Sequence, residues 1–305
     1  MVRHGGSAMG GSGGATDTGA GGPWHPRETG WPLFSERRGC AAAGAPTVVF
    51  LHGLLASGRY WDRVVDHLGE AGLDCRLVDL LGFGRSPWPD IAYTLDDHLT
   101  ALEEWRASAG LADAPLVLVG HSLGALLALQ WAARTPTVRG AVLVSLPVYR
   151  EAEEARRRLA RLSTLHRLTL TSRPLAHAAC TLMCATRPLA RLFAPLFAPQ
   201  VPTAVAQDGV LHIWPSLSGT LESCIFGTPF ERVHRLALAP PLVLVHGGAD
   251  ETAPVGIVRE LARGLPHTRL VEVPGVGHDL PLSRPALVAD AIATAVVGWG
   301  TGGGR

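Results

Sequence analysis

Leu116 to Gln130 reads LVLVGHSLGALLALQ, an apolar run interrupted by Gly120, His121, Ser122 and Gly124. Its first half, all Val and Leu up to Gly120, has the continuous apolar character of a strand buried on both faces, and LGALLALQ has the composition of a buried helix. The interruption falls at the junction. A sharp strand-to-helix turn needs little bulk at its flanks and lifts its apical residue clear of the backbone. Ser122 is therefore expected at the carboxyl edge of a sheet with its hydroxyl accessible. The spacing G-x-S-x-G is that of a nucleophile elbow; alone, the pentapeptide fits a tight turn with a capping serine equally well.

The same kind of run recurs on both sides of it. TVVFLHG (47–53), CRLVDLLG (75–82), PLVLVGHS (115–122), GAVLVSLP (140–147), PLVLVHGGAD (241–250) and TRLVEVP (268–274) alternate with segments of helical period near 59–70, 95–109, 123–135, 254–264 and 284–297. Short doubly buried strands alternating with helices predict an α/β fold, a mostly parallel sheet flanked by helices. The rhythm breaks once. From about 149 to 236 no strand pattern is evident, whereas REAEEARRRLARLSTLHRL and RPLARLFAPLFAPQVP have the look of an arginine-rich, proline-punctuated helical insertion over the sheet. The expected organisation is a core of 33–148 and 237–299, a helical cap of 149–236, a Gly-rich disordered tail of 1–32 and a flexible tail of 300–305.

Composition narrows the chemistry. With 27 Lys+Arg against 26 Asp+Glu the formal net charge is +1, which gives no electrostatic reason to expect nucleic acid or an anionic membrane surface as partner. A small-molecule substrate is expected instead, and oligomeric state is left open. Lysine and asparagine are both absent, so a Schiff-base lysine, a P-loop lysine and an N-glycosylation site are all excluded. No run resembles a signal-peptide core or a membrane helix of ~20 apolar residues. The five cysteines, Cys40, Cys75, Cys180, Cys184 and Cys224, are scattered and odd in number, as expected of reduced thiols in a soluble cytoplasmic protein. Cys180 and Cys184 are spaced i, i+4 without a further ligand pair, so core packing is expected there, and no metal or cofactor is called for.

A serine hydroxyl attacks only if a base takes its proton, and an imidazole base must be held by a carboxylate, so an acid and then a histidine are required on later strand-end loops. Both occur in that order. Asp250 follows the strand of PLVLVHGGAD, and His278 lies in the Gly-flanked loop after TRLVEVP. Ser122, Asp250 and His278 are the candidate catalytic residues. His121 beside the serine is expected to point away as a hydrogen-bonded wall residue, and Asp279 and Glu251 to be solvated or to stabilise their loops.

With these residues in place the chain, from about Leu33 to Trp299, resembles the α/β-hydrolase superfamily of the compact, helically capped kind. FLHGLLAS (50–57) is similar to the family's His-Gly strand end, and DLLGFGRSPWP (79–89) to its D-x-x-G-x-G-x-S loop. The resemblance implies an oxyanion hole from the backbone N–H groups of Leu54 and Leu123, and a structural role for His52. An N–H at the start of a helix favours negative charge on independent grounds. The resemblance also excludes some chemistries. Relatives that open epoxides or displace halide use an aspartate nucleophile, and position 122 is serine. Carbon–carbon bond hydrolases usually carry an asparagine near the elbow and hydroxynitrile lyases a lysine, and the chain has neither.

The expected activity is a serine hydrolase cleaving an ester, lactone or thioester of a mainly apolar molecule through an acyl-enzyme. Two alternatives stay open: an enzyme of secondary metabolism reusing the triad for elimination or cyclisation, and a binding protein that only keeps the fold. His212, Trp214 and Ser216 in DGVLHIWPSLSGTLESC are candidate pocket residues, since an aromatic ring with nearby hydroxyls can line a substrate site; an ordinary packed helix is the other reading.

Overall fold

The structure is a computed structural model and describes residues 29–40, 44–162, 172–238 and 240–300. The sheet consists of β1 (Ser35–Arg38), β2 (Thr47–Leu51), β3 (Asp74–Val78), β4 (Leu116–His121), β5 (Val138–Val144), β6 (Leu242–Gly247) and β7 (Thr268–Val273). They are hydrogen-bonded in the order β1-β3-β2-β4-β5-β6-β7. All pairings are parallel except that of β1 with β3.

Alternate residues of the central strands feed two separate cores. Val49, Leu51, Leu116, Leu118, Leu143 and Leu244 face one layer of helices, and Val48, Phe50, Val117, Val119, Val144 and Val245 face the other. One face is leucine-rich and the other valine-rich. Neither is wet, so the strands read as unbroken apolar runs rather than as alternating ones.

Each strand stops short of the run that predicted it. The Gly, Asp, Ser and Pro residues at the carboxyl ends form loops, and these loops carry the site. β1 has no counterpart among the predicted strands because SERR is an edge strand of partly buried polar residues, the composition that protects a sheet edge.

The flanking helices are α1 (Asp62–Leu68), α2 (Leu95–Ser108), α3 (Leu123–Ala132) and, after the insertion, the helices at 255–263, 280–283 and 285–300. α2 starts at a capping box in which Thr94 and Asp97 bond each other's backbone N–H. Every residue of α3 is buried, which explains why it carries no polar face.

Between β5 and β6 lie α4 (Ala152–Leu162), α5 (Arg173–Ala185), α6 (Arg187–Phe197), α7 (Thr203–Asp208), α8 (Trp214–Thr220), a π-helical turn (Leu221–Phe226) and α9 (Phe230–Ala237). The rest of the helices are α10 (Val255–Arg263), α11 (Leu280–Ser283) and α12 (Pro285–Gly300). The arginine-rich stretch is described to 162, and 163–171 lie outside the described residues. The insertion is not uniform. Cys224, Ile225, Phe226, Val233 and Ala237 belong to the leucine-side core, so its last part is packed under α3 rather than laid over the sheet.

Most of the expected Gly-rich tail, 1–28, lies outside the described residues, as do 301–305. The part that is described is engaged. Thr29 Oγ1 donates to Glu104 at 2.5 Å, and Trp31 packs against the core. The described packing therefore reaches back to Thr29 and Trp31, ahead of Leu33. Among the described residues no helix is long and apolar enough to cross a membrane.

Candidate active site

Among the described residues, three of the four non-glycine ones with positive φ, Leu55, Ser122 and Ser145, follow the carboxyl ends of β2, β4 and β5. Backbone strain of this kind persists only where the surroundings impose it. At Ser122, φ is 52° and ψ −116°, the sharp apex expected between β4 and α3. The two flanking glycines are sterically required. A Cβ on Gly120 would run into the carbonyl of Gly124, and one on Gly124 into the carbonyl of Leu51.

Asp250 and His278, 28 residues apart in sequence, meet with His278 Nδ1 2.8 Å from Asp250 Oδ2. The aspartate side chain is fully buried, while the imidazole keeps 18% of its surface exposed. The other carboxylate oxygen, Oδ1, accepts the backbone N–H of Ala253 at 2.8 Å. His246 Nε2 donates to the carbonyl of Ala253 at 2.8 Å and lies 3.5 Å from Asp250 Oδ2. Burial lowers the pKa of His246 against the pull of Ala253 and Asp250, so a neutral ring backs the acid. Tyr149 OH, bonded to the carbonyl of Thr252 at 2.8 Å, holds the same loop.

The carbonyl of His278 accepts two bonds, from Ser145 Oγ at 2.8 Å and from His121 Nε2 at 3.1 Å. Since a carbonyl only accepts, Nε2 of His121 carries the proton. Burial and the nearby His278 hold His121 well below the ordinary histidine value, so it is neutral. Its ring stacks on Tyr60 with centroids 4.7 Å apart, and Tyr60 OH donates to Asp279 at 2.9 Å. Asp279 thus fastens its loop, and Glu251 is exposed.

His52 is fully buried. Its Nε2 accepts the N–H of Leu80 at 2.9 Å, and its Nδ1, which must then carry the proton, donates to the carbonyl of Gly53 at 2.7 Å. It ties the loop after β2 to the loop after β3, and burial lowers its pKa. In the second loop Asp79 accepts from the backbone of Gly58 at 2.7 Å and from the guanidinium of Arg85 at 2.9 Å. Burial pushes this carboxyl up, but the hydrogen bonds from Arg85 and Gly58, with a charge interaction from His52, prevail and leave it below its ordinary value.

Ser122 and His278 open onto one cavity of about 650 Å³. Leu54 lines it beside Gly53, at the turn after β2, and across from them stand Met183 of α5 and Phe193 and Phe197 of α6. Leu123 is the first residue of α3, where an N–H has no partner within the helix. α7 is held to the loop after β2 by Asp208, which accepts from Ser57 Oγ at 2.8 Å and lies 3.8 Å from Arg59 and 3.7 Å from Arg191.

His212, Trp214 and Ser216 are not among the residues lining this cavity. His212 is buried, its Nδ1 3.1 Å from the carbonyl of Gly209. Ser216 is buried as the cap of α8, bonded to both backbone groups of Ile213, and Trp214 lines a separate hollow with Ile91 and Arg173. Helix packing sets this outcome. α8 turns Thr220 inward to His98 at 2.9 Å and rests Gly219 on the carbonyl of Ala92, which directs its remaining side chains away from Ser122. Among the residues that bond to the Asp250 and His278 loops, Tyr60, Ser145, Tyr149 and His246 carried no motif; only their places beside strand ends could have marked them.

The model of one family, described as alpha/beta hydrolase fold, matches residues 46–285. Lipase LipV of Mycobacterium tuberculosis is 37% identical over 105 residues, covering 34% of this chain and 38% of the lipase. A haloalkane dehalogenase of Mesorhizobium japonicum is 34% identical over 113 residues, 36% of each chain. The chain thus spans less than two fifths of the length of either relative. Among solved structures, a thermophilic esterase from Thermogutta terrifontis superposes with a TM-score of 0.62 at 21% identity, over 88% of this chain and 94% of that one.

Proposed function

The chain belongs to the alpha/beta hydrolase fold family, and on that premise we propose that it is a serine hydrolase acting on a carboxylic ester, lactone or thioester of a mainly apolar small molecule. The observation that carries this reading is the 2.8 Å bond between His278 and Asp250 at the edge of a cavity that also takes in Ser122.

In this reading Nε2 of His278 takes the proton of Ser122 as the hydroxyl adds to the acyl carbon. Asp250 keeps the proton on Nδ1 and stabilises the imidazolium that forms. The oxyanion is met by the N–H groups of Leu54 and Leu123, the latter at a helix N-terminus. Collapse expels the alcohol or thiol, which takes its proton from His278, and water then releases the acid by the same steps in reverse. Carbon–halogen displacement through an enzyme ester needs a carboxylate nucleophile, and Ser122 cannot serve. The lipase and esterase among the similar proteins favour an ester. Aliphatic and phenyl side chains of α5 and α6 across from Ser122 favour an apolar acyl group, with the helices of the insertion acting as the cap that selects it.

The test is a series of nitrophenyl esters of increasing acyl length. Hydrolysis with an initial burst stoichiometric with protein, lost in Ser122→Ala, is expected. Hydrolysis unaffected by that change, or none by a folded wild type, rejects the reading.

A further inference from the structure

Among the described residues, seven of the eleven large apolar side chains that stand exposed lie on α5 and α6. On α6 they recur at Leu189, Leu192, Phe193, Leu196 and Phe197, the i, i+3, i+4, i+7, i+8 spacing of an apolar stripe, and Leu175 and Leu182 of α5 are exposed too. On a surface helix this stripe normally faces the core. Here it faces solvent, with Leu196 74% and Phe197 87% exposed.

Charge is also distributed unevenly. Residues 172–207, which span both helices, contain three arginines and no carboxylate, although the chain as a whole is nearly neutral. Arg173 at the start of α5 is two-thirds exposed although 3.9 Å from Glu222, and Arg191 is 3.7 Å from Asp208. The stripe is also continuous with the site, because Phe193 and Phe197 are exposed and line the cavity of Ser122 at once.

We propose that α5 and α6 form a docking surface for a lipid layer bearing anionic headgroups, with the apolar stripe sunk among the acyl chains. An amphipathic helix of this composition lies in the plane of such an interface, held by buried apolar area and by arginines near the headgroups. A second copy of the chain fits less well. α6 is eleven residues long with Pro195 inside it, too short and interrupted for a stable helix-to-helix seam. A protein seated on Phe197 would also close the cavity mouth, whereas a lipid layer leaves it opening onto the apolar phase. Net charge gave no electrostatic reason to expect an anionic membrane surface; the local distribution of residues 172–207 supplies one.

The test is co-sedimentation of the full chain with vesicles of phosphatidylcholine and phosphatidylglycerol at 3:1, compared with phosphatidylcholine alone and with the variant Leu192→Glu/Leu196→Glu. Neither substituted side chain lines the cavity, so turnover of a short water-soluble ester and the thermal midpoint serve as folding controls. Wild type is expected to sediment with the mixed vesicles, the neutral vesicles to retain several-fold less, and the variant to bind at least tenfold more weakly with its folding controls intact. If that variant unfolds, Leu182→Glu on α5 is expected to weaken binding in the same direction. No binding by wild type, equal binding by folded variants, or a wild-type dimer that the substitutions dissociate would overturn the proposal. The readout is partition, not turnover, so it stands whether or not the hydrolase reading does.

Discussion

Ser145 Oγ donates a 2.8 Å hydrogen bond to the backbone carbonyl of His278, 133 residues away. Ser145 is fully buried and held at φ 51°, and the bond fixes the histidine loop against the end of β5 without touching the imidazole. Ser145→Ala is expected to lower kcat about tenfold, the worth of ~1.4 kcal/mol in positioning, with KM and thermal midpoint nearly unchanged. Steady-state kinetics beside a melting curve check it; an equal loss in Ser145→Ala and in a destabilised remote variant would make the bond merely structural.

The triad is expected to act as a unit. Ser122→Ala and His278→Ala should each remove most activity and their combination little more, while Asp250→Asn should keep the fold and lower kcat by about 10⁴-fold. The variants' kcat values decide it. Additive losses, or a fully active Asp250→Asn, would leave the 2.8 Å contact between Asp250 and His278 without a catalytic role.

Acid should unfold the protein through its buried histidines. Burial lowers the pKa of His52, His98, His121, His212 and His246, with His98 and His212 brought to about 4. The unfolded chain then binds more protons than the folded one once pH drops below ~6.5. Stability is full above that value and falls by up to about 1.4 kcal/mol per pH unit for each such histidine until its folded pKa is reached. Denaturant unfolding at pH 7, 6 and 5 should show this slope. His98→Gln, which can still pair with Thr220, should flatten it by about one proton; a stability independent of pH from 7 to 5 would contradict it.

Bulk added to the cavity wall should change what is cleaved rather than whether anything is. Ala194 of α6 lines the cavity, and Ala194→Trp is expected to shift the preferred acyl chain to shorter lengths, with shorter esters turned over within severalfold of wild type. A uniform loss across the ester series would mean that the acyl group lies elsewhere.

Much of the fold is legible because the sheet is buried on both faces, so Val48–Leu51, Leu116–Val119 and Leu242–Val245 spell their strands directly. β1 is not, because an edge strand need not be apolar. The proximity of Asp250 and His278 is legible because both follow strand ends, where this fold gathers its loops. The pocket is not, because which face α8 presents depends on contacts with Tyr93 and His98 more than a hundred residues earlier. The same limit applies to the insertion, where one helical pattern covers both the outward stripe of α6 and the core residues Cys224 to Phe226. Excising 150–235 is therefore expected to abolish cooperative unfolding, while replacing 173–208 alone should not; circular dichroism melts of the two variants compare them.

The central claim is that Ser122 is an activated nucleophile. Intact-protein mass spectrometry after exposure to a fluorophosphonate tests it most directly. One phosphonyl adduct on wild type, mapped by peptide to Ser122 and absent from Ser122→Ala, is the predicted result. Equal labelling of both proteins, or none on a folded wild type, would contradict it.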